Sequence, residues 1–186
     1  SGKSKNIDLH YSLNCTQFPD KFIEIWKNFR KVRIHLSIDD IDERNYYVRF
    51  PSNWTQIMQS FDKILKYRDI FDLEVCQTVS ALNVFNIDND LVIAHNYVHY
   101  PTHLHVSLIP EKMKNKILNN LKYLSEDEIE RLKIEIHKNI YKKDKNKFYH
   151  FIRLVDKQRK VDITEYLPEW KPYKERFSKV KSHTII

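Results

Sequence analysis

The stretch 32–54, VRIHLSIDDIDERNYYVRFPSNW, decides how the rest of the chain is read. Val32, Ile34, Leu36 and Ile38 alternate with Arg33, His35, Ser37 and Asp39. A period of two predicts a strand with one apolar face and one face that can hydrogen-bond throughout. The alternation stops at Asp39 and Asp40, and a loop dense in charge and tyrosine is expected after it. Acids at the C-terminal tip of such a strand stand where α/β proteins build ligand sites.

Working outward, residues 7–14 repeat the two-faced pattern: Ile7, Leu9, Tyr11 and Leu13 alternate with Asp8, His10, Ser12 and Asn14. Between these strands Phe22, Ile23, Ile25, Trp26 and Phe29 fall at helical spacing, which predicts a helix over 19–29 with Pro19 in its first turn. After the charged loop, Ser52 is expected to cap a helix carrying Ile57, Met58, Phe61, Ile64 and Leu65. A third strand is expected over 73–82. Strand, helix, strand, helix, strand at these lengths predicts two right-handed βαβ units and a parallel sheet.

Further on, 84–95 reads as one short helix and 104–109 as a fourth strand. Pro110 is expected to start a helix with Met113, Ile117 and Leu118 on one side. Ser125 and Glu128 have the spacing of a capping box ahead of Ile129, Leu132, Ile136 and Ile140. A Lys-rich exposed stretch over 138–147, a last long helix over 148–155 and an irregular tail around EYLPEW (165–170) complete the reading. The fold expected is α/β: parallel-sheet βα repeats of a partial TIM-like barrel over 1–109, then a mostly helical region over 110–186. Three or four strands cannot close a barrel, which takes about eight, or about six for a wide partial one. Either the sheet is small and open, or strands that precede the first are missing from this chain.

Composition excludes several classes. Gly2 is the single glycine of 186 residues, so neither a GxGxxG turn nor a P-loop is present, and Asn or Asp must supply positive φ. Cys15 and Cys76 form no CxxC or CxxxCxxC set; no metal site is expected, and the thiols read as buried and reduced in a cytoplasmic protein. No apolar run approaches about 18 residues and no signal-peptide pattern opens the chain, so no membrane is expected as a partner. The net charge is +7, and residues 94–186 carry 20 Lys and Arg against 12 Asp and Glu. That excess reads as a solvated helical face or as a surface for a nucleic acid or a partner protein, the former being favoured.

The candidate site is the tip of the first three strands. Asn14, Thr16, Ser37, Asp39 and Asn83 lie at or just past strand ends, and Arg44 and Arg49 follow the second strand. Ser37 and Asp39 suit hydroxyls and amines, and the Arg49 fork suits a carboxylate. In the plainer alternative Asp39 caps a turn while Arg44 and Arg49 pair with Asp42 or Glu43. His95, His99, His103 and His105 crowd one segment, but Pro101 interrupts it and no nearby Asp or Cys completes a ligand set. Tyr46, Tyr47, Phe50 and Trp54 read as core cover or as an aromatic platform.

At these residues the chain resembles the second half of a radical S-adenosylmethionine (radical SAM) domain, of the twitch type common in phage and environmental bacterial sequences. The resemblance rests on Asn14-Cys15-Thr16 after the first strand, on Ser37-Ile38-Asp39-Asp40, and on Glu43-Arg44, Tyr47, Arg49-Phe50-Pro51 and Trp54. Support comes from 78–83 (TVSALN), from NYVHYPTHLHVSLIP (96–110), and from Asp156, Arg159 and LPEW (167–170). It spans about residues 7–170, and its SIDD-to-PSNW block is the most specific stretch.

The resemblance implies that Ser37 and Arg49 hold the methionyl carboxylate of SAM, with Asp39 and Asn14 beside them and Leu82 and Asn83 near the adenine. It also implies a [4Fe–4S] cluster, an electron donor such as a flavodoxin or ferredoxin, and a substrate that loses hydrogen to a 5′-deoxyadenosyl radical. The family's CxxxCxxC and GGEP segments precede the first strand seen here, and Cys15 replaces a family glycine. The chain is therefore expected to be the C-terminal half of such an enzyme, inactive alone, with its cluster ligands outside these residues.

Overall fold

Alternating apolar residues form a sheet only when neighbouring strands place their apolar sets on the same side. The structure, a computed structural model, describes residues 2–18, 20–88, 94–139 and 141–179. Strands β1 (Asp8–Leu13), β2 (Lys31–Ser37), β3 (Asp72–Val79) and β4 (Ala94–Tyr97) make one sheet in the order β1-β2-β3-β4. β1 pairs with β2 in parallel, Leu9 opposite Val32 and Leu13 opposite Leu36. β2 pairs with β3 in parallel, Ile34 opposite Leu73 and Leu36 opposite Val75. Apolar residues thus meet apolar residues, and a slip of one position would expose Ile34 and Leu36, both fully buried.

The chain divides into two compact units, Ser1–Thr78 with Leu91–Asn96, and Val79–Asp90 with Tyr97–Ile186. The divide expected between 109 and 110 falls inside the second unit. In the first unit, the crossover from β1 to β2 contains α1 (Ile23–Trp26), and that from β2 to β3 contains α2 (Asp42–Val48) and α3 (Trp54–Leu65). Trp26, Ile57, Ile64 and Phe71 pack with the apolar side of β2 in one buried cluster. The other side of the sheet is half-buried and held by ion pairs, including Lys31 to Asp72 at 2.6 Å.

The second unit is built on helices α4 (Glu111–Leu118), α5 (Glu126–Ile136), α6 (Lys145–Arg159), α7 (Ile163–Tyr166) and α8 (Lys174–Lys179). The expected capping box starts α5: the Ser125 hydroxyl accepts from the Glu128 amide, and the Glu128 carboxylate accepts from the Ser125 amide. α6 ends on Lys160 in a left-handed conformation, φ 55°, where helices usually place glycine. Trp170 is fully buried, with ring centroids 5.1 Å from Phe148 and 5.9 Å from Phe177.

Several expectations are corrected. The segment after Asp40 is helix α2 rather than a loop, and Asn53, not Ser52, caps α3 by accepting from the Gln56 amide. Ser52 is turned inward, donating to the Asn45 carbonyl and accepting from the Asn45 side-chain amide. The helix over 19–29 reduces to a 3-10 turn and the single turn α1, closed by i→i−3 bonds from Asn28 and Phe29. The third strand ends at Val79, before Ser80. Residues 104–109 form 3-10 turns, Thr102–Leu104 and Val106–Leu108, whose compact bonds leave no extended run; the fourth strand is 94–97. Val84–Asn86 is a 3-10 turn, while 89–93 of that expected helix, together with Pro19 and Ile140, lie outside the described residues. The expected irregular tail is instead helical and belongs to the second unit's core, because Trp170 and Phe177 bury there.

Replacing Trp170 by alanine is expected to cost about 3–5 kcal/mol, and Trp170→Phe distinctly less. Urea denaturation of both variants checks this; a loss below about 1 kcal/mol in Trp170→Ala would remove the C-terminal segment from the core.

Candidate functional site

Parallel strands end on the same side of a sheet, so β2 and β3 bring their C-terminal residues together. Asp39 ties that end of the first unit. One carboxylate oxygen accepts the Thr78 amide at 2.8 Å and the other accepts Arg49 Nη1 at 2.9 Å. Its carbonyl accepts the Gln77 side-chain amide at 2.7 Å. The Asp39 carboxylate is nearly buried and its charge is met by a guanidinium that is 30% exposed. A paired, hydrogen-bonded acid of this kind holds its partners in place.

The neighbouring acid, Asp40, is tied in the same manner. Both its oxygens lie 3.1 Å from Arg44 Nε, and one accepts the Ile41 amide. Asn45 accepts the Asp40 amide and joins it to Ser52. The two arginines therefore pair with the acids that end the strand, not with Asp42 or Glu43 as the plainer alternative had it. Gln77 was not singled out in the sequence and Thr78 only as the start of the 78–83 stretch; the signal for both was that β3 must end beside β2.

Cys15 closes the turn after β1. It is fully buried and has φ 58°, the left-handed region favoured by glycine. Burial pushes its thiol up to about 11, against the opposing charge of Arg49. Beside it, the Asn14 side-chain oxygen accepts from the Thr16 amide and hydroxyl at 3.2 and 2.9 Å. Ser37 sits half-buried at the last position of β2.

Leu82 and Asn83 belong to the second unit. Asn83 is fully buried, and its side-chain oxygen accepts from the Ser80 amide at 2.7 Å and the Ser80 hydroxyl at 3.0 Å. The Leu82 amide donates to the Ser80 hydroxyl. Within that unit these contacts shape the turn that follows β3. The aromatic group does not form one platform: Tyr47 is buried, Trp54 packs against the first unit's core, and Tyr46 stands edge-on to Phe50 at 5.3 Å.

Of the histidines, His99 and His105 lie together, ring centroids 5.6 Å apart, and the others stand elsewhere. His95 lies in β4, and His103 packs on Phe151 at 5.0 Å. His105 is fully buried, 4.2 Å from the Tyr141 ring, with Nε2 3.2 Å from Glu135. Glu135 thus supplies the carboxylate missing from the local sequence, and His99, His105 and Glu135 converge. Yet His105 Nδ1 accepts the Ser107 amide, so the ring's proton sits on Nε2 and donates to Glu135. Lys138 Nζ holds the same carboxylate at 2.6 Å. The group is a proton-bearing His–Glu–Lys network, not a set of vacant lone pairs.

Comparison of the chain with family models, with curated proteins and with solved structures gives no match in any of the three.

Burial holds His103 and His105 below the usual histidine range, the latter despite its bond to Glu135. Unfolded rings take protons that the folded ones refuse, so stability is expected to fall as pH drops below about 6.5. Glu135, which burial alone would raise, is pulled below its ordinary value by Lys138 and His105, and its contribution is lost only at still lower pH. Urea midpoints that stay level from about pH 7.5 to 5.5 would contradict this. The thiols offer a second check: burial and Glu74 also raise the Cys76 thiol, but Cys76 is the less buried, so at pH 8 it is expected to react with iodoacetamide faster in the folded protein than Cys15, which peptide mapping resolves.

Proposed function

We propose that this chain is the SAM-binding C-terminal half of a radical SAM enzyme, with Ser37 and Arg49 as its binding residues for the methionyl carboxylate. The observation that carries the reading is Arg49 at the C-terminal end of a parallel βαβ sheet, held there by Asp39, which stands two residues beyond Ser37. A bidentate donor fixed by a buried acid is a pre-organised carboxylate receptor, because little side-chain freedom remains to be lost on binding. Asp39 acts as the positioning residue, and the Thr78 amide keeps it in place. The left-handed Cys15 adds support, since the family carries glycine at that turn. Asn14 orders the same turn.

A [4Fe–4S] cluster supplies one-electron cleavage of SAM when bound. The residues present do not fit that cluster: Cys15 is buried and Cys76 stands 61 positions away, so its ligands belong to a segment outside this chain. The residues of this chain would bind and orient SAM, and a partial barrel built from further parallel strands would complete the domain.

The test uses the parent protein translated with the sequence encoded upstream. A CxxxCxxC segment there, and release of 5′-deoxyadenosine on chemical reduction, are expected. Ser37→Ala and Arg49→Ala are each expected to weaken SAM binding at least about 10-fold in equilibrium dialysis. Unchanged affinity in both would reject the site, and an upstream start codon without cysteines would reject the enzyme.

A further inference from the structure

The half-buried side of the sheet carries a second constellation that the proposed SAM site does not use. His35 on β2 stands opposite Glu74 on β3, and Cys76 follows on the same face, opposite Ser37. The ligand atoms of His35, Glu74 and Cys76 all lie within 4.8 Å of one another. His35 Nε2 is 3.3 Å from Glu74 Oε2, shielded from solvent, and makes no hydrogen bond of acceptable geometry. Two ligands about 2.0 Å from one ion at the tetrahedral angle stand about 3.3 Å apart, so this pair is already at coordination spacing.

We propose that His35, Glu74 and Cys76 bind a borderline divalent cation, zinc by the donor set, on the polar face of the β2–β3 pair. Imidazole nitrogen, carboxylate oxygen and thiolate sulfur are the three ligand types zinc takes, whereas calcium and magnesium take oxygen. Three protein ligands leave a fourth position for water or substrate, as in catalytic rather than closed structural sites. Adjacent strands with fixed register supply the rigidity such a site needs. His35 coordinates as the neutral ring through Nε2, Glu74 as the carboxylate, and Cys76 as the thiolate, its proton passing to solvent on binding. One thiolate and one carboxylate then balance the two positive charges of the ion. Arg33 Nε lies 3.9 Å from the other oxygen of Glu74 and 3.8 Å from Asp72, which places a positive charge beside that carboxylate. His10 on β1 shares this face, its ring edge-on to His35 at 6.2 Å. The contrast with His105 is chemical: there Nε2 is committed as a donor to Glu135, while His35 has no such assignment forced on it.

Titration of the chelator-stripped protein with Co²⁺ and, in competition with a chromophoric chelator, with Zn²⁺ tests the site. One ion per chain, a thiolate-to-cobalt charge-transfer band and a zinc dissociation constant below about 1 µM are expected. Cys76→Ser should abolish the band, and His35→Ala should weaken zinc binding by more than the roughly 10–100-fold typical of residues that only support a ligand. No band in the unsubstituted protein overturns the proposal, as does a band that survives Cys76→Ser or zinc affinity unchanged in both variants. Neither SAM nor an iron–sulfur cluster enters the assay, so its outcome is independent of the function proposed above.

Discussion

The parallel pairing of β1, β2 and β3 through their apolar faces is the constraint on which the first unit depends. Val32, Ile34, Leu36 and Ile38 are all buried, and each has its place because Leu9, Leu13, Leu73 and Val75 share their side. Burying four such side chains contributes on the order of 1.5–3 kcal/mol each before the entropy of ordering the chain is subtracted. The same register forces Arg33, His35 and Ser37 onto the opposite face, opposite Asp72, Glu74 and Cys76. Lys31 closes on Asp72 across the strands there, whereas Arg33 Nε and His35 Nε2 face acids without a hydrogen bond. One hydrophobic constraint thus creates two polar clusters: the tip, where Asp39 gathers Arg49 and Thr78, and the face, where His35 meets Glu74.

Much of this was legible in the sequence because a period of two is a strong signal where one face is buried and the other is not. β1 and β2 fall within a residue of their expected spans, and the parallel α/β arrangement followed from the helical spacing between them. The capping box at Ser125 was equally plain, since it is a local reciprocal bond with a fixed spacing. What failed were segments decided by tertiary contacts. α2 is polar on much of its surface, and its stability comes from Asp40, Asn45 and Ser52 bonding to one another, which periodicity does not register. The C-terminal EYLPEW read as irregular because of Pro168 and the nearby Pro172, yet Trp170 is fully buried and holds the segment in the core.

At the site, residue types were legible and their partners were not. Asp39 and Arg49 were both singled out, but their pairing depends on α2 turning the chain back, which reading 41–51 as a loop concealed. Glu135 was invisible to a search among neighbours of His105 because it lies 30 positions away. Glycine scarcity was also informative in an unexpected way. Left-handed positions expected at Asn or Asp fall on Cys15 and Lys160 as well as Asp42, so backbone need, rather than side-chain preference, sets those φ values.

β1 stands at the end of the strand order, and among the described residues no strand pairs with its outer side. An edge of six residues offers backbone donors and acceptors to any extended segment that comes near. Asp8, bound bidentately by Arg30, is the charged guard of that edge. High ionic strength weakens such an exposed pair, so concentrated salt removes some of the barrier to edge-to-edge self-association. Wherever that side of β1 is left open, concentrated salt is therefore expected to favour its pairing with another extended segment.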